Sequence, residues 1–255
     1  MNGAPEVLVE RRGRILIMTI NRPESRNAAN LAVSQGLADA VDQLDADPGL
    51  SVGIVTGSGG SFCSGMDLKA FSAGEIPAIE GRGLGFTERL PKKPVIAAVE
   101  GHAVAGGTEL VLATDLVVAA RSARFGLPEV RRGLIAGGGG LLRLHQRIPF
   151  QKAMELIFTG DTFSGEEGLA FGFVNVLAED GRALEEAIKL ADRIAKNAPL
   201  ALAASKDIVI ASSDWSASEM WRKQRPYLEQ VLSSDDAQEG ARAFAEKREP
   251  KWKGS

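Results

Sequence analysis

The 255-residue sequence contains a single cysteine, Cys63, so it has no pair that could form an internal disulfide. One thiol also excludes a metal site built from several cysteines, and it suits a reducing compartment. The first residues hold no apolar segment of the secretory type, and no later stretch approaches the length of a membrane span. We therefore expect a cytoplasmic chain without a bound metal and without a membrane partner.

An excess of charge of one sign is also lacking. The chain carries 30 basic and 33 acidic residues, a formal net charge of −3, with no long block of like charges. A nucleic-acid surface would concentrate basic residues on one face or in one segment. We therefore expect no nucleic-acid partner.

Several motifs that bind nucleotides or activate a serine are missing. A dinucleotide fingerprint beginning at Gly57 would need its last glycine where Phe62 stands, and the run from Gly81 fails in the same way at Phe86. The sequence has neither the phosphate-binding G-x-x-x-x-G-K-[ST] motif nor a G-x-S-x-G nucleophile elbow. These two glycine-rich segments therefore need another explanation.

Alternating strand-like and helix-like segments are present throughout and predict one α/β domain with a helical C-terminal segment. The predicted strands are 6–11, 15–20, 52–56, 95–99, 116–120 and 173–177. The predicted helices are 30–45 with Asn30 as its cap, one after Gly107, 141–148, 150–158, one capped by Thr162 or Ser164, 183–195, a long stretch at 200–231, and 235–248. We expect Trp215 and Trp221 to be core residues.

The segment 93–115 carries the first candidate site. An apolar run breaks at Gly101, and the pair Gly106 and Gly107 then precedes a helix-like stretch that contains Glu109. At a helix start the backbone N–H groups lack intrahelical partners, and glycine lets a ligand oxygen approach them closely. A group bound at the Gly106 N–H would therefore lie close to the Glu109 carboxylate.

Two further segments carry candidate residues of the same kinds, a backbone donor and a carboxylate. The loop Ser64-Gly65-Met66-Asp67 also joins a strand to a helix, so it could supply a second backbone donor. Glu129 follows Pro128, which disfavours helix at the preceding residue and so determines where the next turn begins. Taken singly, Glu109 could be a structural helix carboxylate and Glu129 a capping residue.

Taken in order along the chain, these segments resemble the crotonase superfamily, the enoyl-CoA hydratase/isomerase family. The resemblance rests on residues 21–28, 62–68, 93–115, 125–129 with Gly133, Thr159-Gly160 and 236–248. It implies an α/β fold, a crotonase-like spiral of ββα units over residues 1–198. Residues 199–255 would form a helical region that assembles homotrimers or dimers of trimers.

The resemblance also implies a site. The Met66 and Gly106 N–H groups would form an oxyanion hole for the thioester oxygen, and Glu109 and Glu129 would be the catalytic pair that adds water to a 2-enoyl-CoA. Coenzyme A would be part of the substrate, with no other cofactor. Residues that match positions binding CoA or substrate are Arg26, Ala28, Ser64, Met66, Asp67, Leu68, Lys69, His102, Val104, Pro128, Phe244 and Lys247. His102 is expected in a pocket wall or buried.

Some residues depart from the family's usual pattern and leave the substrate open. Met66 is bulkier than the usual alanine, Ala105 and Ala136 replace a common glycine and proline, and Leu127 and the pair Arg131-Arg132 are unusual for a hydratase. The competing hypotheses are a dehydratase or isomerase of a specialised acyl-CoA, carnitine-like or sterol-derived, and a non-catalytic acyl-CoA-binding protein. Residues 71–90 have weak periodicity and are expected to form part of the acyl wall.

Overall fold

The computed structural model describes residues 4–254. Its strands are β1 (Val7–Arg12), β2 (Ile15–Ile20), β3 (Val52–Gly57), β4 (Val95–Val99), β5 (His102–Val104), β6 (Leu116–Ala120), β7 (Arg124–Gly126), β8 (Thr162–Ser164) and β9 (Val176–Ala178). Its helices are α1 (Leu31–Ala46), α2 (Leu68–Ser72), α3 (Gly106–Leu112), α4 (Gly140–Arg147), α5 (Phe150–Thr159), α6 (Gly165–Phe171), α7 (Ala183–Ala195), α8 (Pro199–Ser212), α9 (Met220–Leu232) and α10 (Asp235–Glu246).

Two sheets form the core of the fold. The larger has six strands in the order β1-β2-β3-β4-β6-β9, in which β1 is antiparallel to β2 and the other neighbours are parallel. The smaller has the order β5-β7-β8. The chain passes from β4 to β5, and again from β6 to β7, within a few residues. From β4 to β7 consecutive strands therefore alternate between the two sheets, as in a spiral of ββα units.

The large sheet is buried on both faces, which explains the continuous apolar runs of its central strands. One face packs against the alanines of α7, Ala183, Ala187 and Ala191. The other face packs against α1 and the main core, which includes Phe62 and Phe125. The predicted strands 15–20, 52–56, 95–99 and 116–120 are confirmed.

Helix caps follow the predicted chemistry. The Asn30 side chain accepts a hydrogen bond from the Val33 N–H at 2.9 Å and begins α1. Of the two candidates for the later helix, Ser164 is the cap, in a reciprocal pair with Glu167. Such side chains satisfy N–H groups that the first turn leaves without partners.

The loop after β3 lies beside β5 and so meets the start of α3. The Cys63 N–H donates to the His102 carbonyl at 2.8 Å, and the Val104 N–H donates to the Cys63 carbonyl at 3.1 Å. A parallel bridge between Ala29 and Met66 holds the far end of the loop. These contacts bring the loop Ser64-Gly65-Met66-Asp67 next to the glycine pair Gly106 and Gly107.

Three predictions outside the site are wrong. The stretch 200–231 is two helices, α8 and α9, because the Ser- and Asp-rich segment 213–219 between them favours turns. Trp221 is 74% exposed, because α9 buries none of its residues within one chain. Trp215, in the connection before α9, is half-buried. The predicted strand 173–177 is only β9, because the Phe173 and Val174 N–H groups instead bond the Gly168 carbonyl.

None of the helices in residues 4–254 is long and apolar enough to cross a membrane.

Candidate active site

A cavity of about 400 Å³ opens where the loop after β3, the start of α3, the turn after β7 and the glycine-rich turn before α4 converge. Its volume falls within the range usual for small-molecule sites. Among its lining residues are Met66, Gly106, Glu109 and Glu129. The structure therefore brings together both predicted backbone donors and both predicted carboxylates.

The two donor loops touch directly at Gly65. A Cβ added to this residue would lie 3.3 Å from the Gly106 nitrogen and 2.8 Å from the Ala105 Cβ. Gly65 also has φ +94°, which favours glycine. Only glycine therefore allows the Met66 N–H and the Gly106 N–H to lie side by side without displacing either loop.

Neither of these two N–H groups is used within the described residues. The bridge between Ala29 and Met66 uses the Gly65 carbonyl and the Asp67 N–H, so the Met66 N–H is left over. Gly106 is the first residue of α3, where the helix offers its N–H no acceptor. Two adjacent free donors that face one cavity can bind a single oxygen, and they bind it more strongly as it gains negative charge.

Ala105, just before α3, has a strained backbone. Its φ is +52° and its ψ is −125°, a conformation that glycine adopts far more readily than alanine. Such strain costs about 1–3 kcal/mol and persists where the surroundings impose it. Here the Ala105 N–H donates to the Gly126 carbonyl at 2.9 Å, which anchors the turn that orients the Gly106 N–H.

Glu109 is held tightly at the start of α4. Its side chain is buried, and Oε1 accepts the Gly140 N–H at 2.9 Å. Burial raises the pKa of Glu109 above its usual value, while the Gly140 N–H, the Gly138 N–H and the Arg143 guanidinium lower it in that order. The carboxylate form is thus supported by fixed donors and by the positive end of a helix.

Glu129 lies in a different environment, on the short 3-10 helix Pro128–Arg132. Its Oε2 is buried and has no partner among the described residues. Burial, followed by the negative charge of Glu109, raises the pKa of Glu129 to about 7, against a lowering by its own backbone N–H and a smaller one by Arg132. The two carboxyl groups therefore differ near neutral pH: Glu109 has donors for its charged form, and Glu129 holds a proton more readily.

Such a pair can move a proton in each direction across the cavity. One carboxylate can accept a proton from water while the other, protonated, can release one. The free Met66 and Gly106 N–H groups can stabilise negative charge that develops on a nearby oxygen. The geometry suits proton transfer next to an activated carbonyl.

The rest of the cavity is largely apolar. Its wall includes Phe71, Ile76 and Leu84 from the weakly periodic segment 71–90, and Ile135 from the turn before α4. Two further charged side chains, Glu88 and Arg132, also line it.

The predicted site residues divide into two sets. Those that line the cavity are Ser64, Met66, Leu68, Val104, Gly106, Glu109, Pro128 and Glu129. Those that lie outside it are Arg26, Ala28, Asp67, Lys69, His102, Phe244 and Lys247. Phe244 is 88% exposed, and Lys247 is also exposed.

Two of the outer residues have evident structural positions. The Asp67 side chain caps α2 through the Lys69 and Ala70 N–H groups and pairs with Arg22 at 2.9 Å. His102 is exposed on β5, because alternation along this strand buries Ala103 instead. The prediction that His102 is buried or in a pocket wall is therefore wrong.

Sequence reasoning missed several residues that shape the site. Gly138 and Gly140 contact Glu109 from the turn before α4, and Glu88 lines the cavity from the segment 71–90. The glycine run before an apolar helix was the available signal for Gly138 and Gly140, since helix starts bind anions. Glu88 had no signal, because neither its spacing nor its neighbours distinguish it from a surface carboxylate.

The chain is similar to known proteins along nearly its whole length. The family model for enoyl-CoA hydratase/isomerase matches residues 10–255. The chain is 40% identical to the enoyl-CoA hydratase EchA19 of Mycobacterium tuberculosis, over 99% of this chain and 98% of that protein. It is 42% identical to a carnitinyl-CoA dehydratase of Salmonella typhimurium, over 96% of this chain and 97% of that protein.

A solved structure is also closely similar. The crystal structure of an enoyl-CoA hydratase from Mycobacterium tuberculosis superposes with a TM-score of 0.98 at 63% identity, covering 99% of this chain and 100% of that one. Similarity of this extent covers nearly the whole of both chains.

Proposed function

The chain belongs to the enoyl-CoA hydratase/isomerase family, and from this we propose that it adds water across the α,β double bond of a 2-enoyl-CoA thioester to give a 3-hydroxyacyl-CoA. Membership confirms the expected crotonase-like fold and that the chain is an enzyme. The observation that carries the proposal is one cavity lined by two carboxyl residues of unlike environment and two free, adjacent N–H donors.

In the proposed reaction the thioester oxygen accepts hydrogen bonds from the Met66 and Gly106 N–H groups. Glu109, as carboxylate, takes a proton from a water molecule, whose oxygen bonds to C3 of the enoyl group. The C2–C3 π electrons move towards the thioester carbonyl and form an enolate, which the two donors stabilise. Protonated Glu129 then gives its proton to C2. Loss of one oxyanion donor typically raises the activation barrier by about 3–4 kcal/mol.

The direction of proton flow follows from the two environments. Glu109 accepts the Gly140 N–H and so keeps support for its charged form, while Glu129 has a buried oxygen without a partner and a pKa of about 7. A base is most useful when ionised and an acid when protonated near the working pH. The reverse reaction, dehydration, exchanges the two roles.

The CoA moiety is proposed to extend from the thioester past Ser64 and Leu68 at the cavity edge. Arg26, Ala28, Asp67 and Lys69 lie outside the cavity and are proposed to contact the pantetheine and nucleotide. CoA enters as part of the substrate, and the proposed chemistry uses no additional cofactor.

Phe244 and Lys247, exposed near the end of α10, are proposed to reach the nucleotide bound by a neighbouring copy of the chain. The proposed assembly is a homotrimer or a dimer of trimers. Trp221 at 74%, Leu232 at 65% and Val209 at 72% exposure support it, because large exposed apolar side chains often mark interfaces. A solution mass of one chain would reject this part of the proposal. A cytoplasmic location is likewise proposed.

The test follows loss of enoyl thioester absorbance with crotonyl-CoA and with a long-chain enoyl-CoA. Wild type should turn over at least one of them, and Glu109→Gln and Glu129→Gln should each lose at least about a hundredfold, as expected for a positioned acid or base. Glu155→Gln, which removes a surface carboxylate on α5, is the matched control. Binding of both thioesters without any change in absorbance would reject hydration of these substrates.

A second candidate is a dehydratase of a carnitine-like acyl-CoA, favoured by Glu88. This carboxylate lines the cavity with Glu109 and Glu129, against the single guanidinium of Arg132, so the cavity favours a cationic acyl group over an anionic one. Relatives named for carnitinyl-CoA support the same idea. The test compares the turnover of carnitinyl-CoA with that of 3-hydroxybutyryl-CoA. Wild type should turn over carnitinyl-CoA faster, and Glu88→Gln should abolish this preference.

Isomerisation of a sterol-derived thioester and a purely binding role have less support. The named relatives either add or remove water, which favours hydration chemistry over isomerisation. A non-catalytic binding role does not fit an enzyme of this family.

A further inference from the structure

Arg143 does not line the cavity, yet its guanidinium lies against the loop that holds Glu109. The loop residues Gly138 and Gly140 both contact the Glu109 side chain. Gly139, between them, has φ +107°, and a Cβ there would collide with Arg143 Nη1. A glycine at this position therefore lets the guanidinium pack across the start of α4.

One terminal nitrogen of the guanidinium has a hydrogen-bond partner, and the other has none among the described residues. Arg143 Nη2 donates to the carbonyl oxygen of Thr87, a buried residue, at 2.7 Å. Arg143 Nη1 is buried and has no hydrogen-bond partner among the described residues. An unpaired buried donor on a charged group is costly, so its retention calls for an explanation beyond packing.

Its charge acts on Glu109 without direct contact. The two side chains form no ion pair within the part of the chain that the structure describes, but the guanidinium still lowers the pKa of Glu109. A direct pair would occupy the carboxylate oxygens and would typically lower a carboxyl pKa by about 1–3 units, leaving a poor base. A guanidinium that is not paired with Glu109 offsets part of the effect of burial, after the Gly140 and Gly138 N–H groups, and leaves Glu109 an oxygen for water.

We propose that Arg143 is a positioning residue of the reaction, which favours the carboxylate form of Glu109 by holding a guanidinium against the start of α4, through the Thr87 carbonyl and the Gly139 backbone. The inference rests on the proposed function for its catalytic meaning, because it concerns the base of that reaction. Its statement about the charge of Glu109 concerns the protein without substrate.

Several more charged groups also face Glu109. Glu129 and Arg132 line the same cavity from the 3-10 helix after β7, and Glu88 lines it from the segment 71–90. On α4 the next basic residues, His145 and Arg147, are exposed, and Arg147 acts on Arg143. The variants that alter Arg143 leave all of these groups in place, so their effects remain constant.

The experiment compares Arg143→Met and Arg143→Gln, which remove the charge, with Arg143→Lys, which keeps it. Gln also keeps an N–H donor for the Thr87 carbonyl. Arg147→Gln, one turn further along the same helix, is the matched control. Carboxyl resonances of ¹³C-labelled glutamate are titrated in each folded protein, with the Glu109 signal identified by its absence in Glu109→Gln.

We expect the Glu109 titration midpoint to rise by about one pH unit in Arg143→Met and Arg143→Gln. The acidic limb of kcat/KM for crotonyl-CoA should move by the same amount, so activity below that midpoint falls about tenfold. KM should stay within about twofold. Arg143→Lys should recover the wild-type limb to within about threefold, and Arg147→Gln should match wild type.

A folded Arg143→Gln or Arg143→Met protein with an unmoved Glu109 midpoint would overturn the inference, even if its kcat were reduced. If neither charge-removing variant folds, Arg143→Lys decides instead. A Glu109 midpoint in Arg143→Lys that is raised above that of wild type would overturn the inference, because this variant keeps the charge. A moved midpoint in an enzyme that hydrates none of the enoyl-CoAs would reject the proposed function and leave the charge relation standing.

Discussion

Substitution of Gly65 by alanine tests whether the close approach of the two loops matters. The new Cβ would lie 2.8 Å from the Ala105 Cβ and 3.3 Å from the Gly106 nitrogen, at a residue with φ +94°. The loops must then separate by some tenths of an ångström, which misaligns the Met66 and Gly106 N–H groups as a pair. Loss of one oxyanion donor lowers kcat by about 10²–10³, and we expect Gly65→Ala to approach this range.

Gly60 in the same loop supplies the control. Its φ is +77°, so alanine there is strained in the same way, but a Cβ would meet nothing within 4 Å. Both variants should lose about 1–2 kcal/mol of folding free energy from the backbone, which corresponds to a few degrees in Tm for a chain of this size. Only Gly65→Ala should lose turnover beyond this.

The assay measures kcat and KM for crotonyl-CoA together with Tm by circular dichroism. The reasoning would be refuted if Gly65→Ala kept kcat within about threefold of wild type, or if Gly60→Ala lost as much turnover as Gly65→Ala. A loss confined to KM would instead place the effect on substrate binding rather than on the developing charge.

Three single residues give further testable expectations. Because Glu129 acts in its protonated form and burial raises its pKa to about 7, kcat/KM should fall as pH rises above about 7; a profile flat to pH 9 would contradict this. Ala105→Gly should raise Tm by a few degrees, because it releases strain of about 1–3 kcal/mol at φ +52° and costs less than about 1 kcal/mol in the unfolded chain; a lowered Tm would show that Ala105 is unstrained. Cys63 is buried and its pKa is raised to about 11 by burial, so it should react with a thiol reagent only after unfolding; stoichiometric labelling of the folded protein would disprove its burial.

Local patterns predicted much of the fold. Continuous apolar runs bounded by Gly or Pro marked the buried strands such as β4, and cap chemistry marked where α1 begins at Asn30. The prediction of one long helix over 200–231 was wrong because it ran through residues 213–219, where Ser and Asp side chains favour a turn. Trp221 was predicted to be in the core because tryptophan is usually well buried, whereas α9 buries none of its residues within one chain.

The local features of the site could be predicted without the structure: a strand, a glycine pair and Glu109 in one segment, and Pro128 with Glu129 in another. These depend on neighbouring residues, so spacing and backbone preference are enough to find them. The fold was needed to show which groups share a cavity, how the pKa values of the two glutamates diverge, and that Arg143 lies against the turn that contacts Glu109. Burial and electrostatic interaction depend on distances between segments far apart in sequence, and no local pattern records those distances.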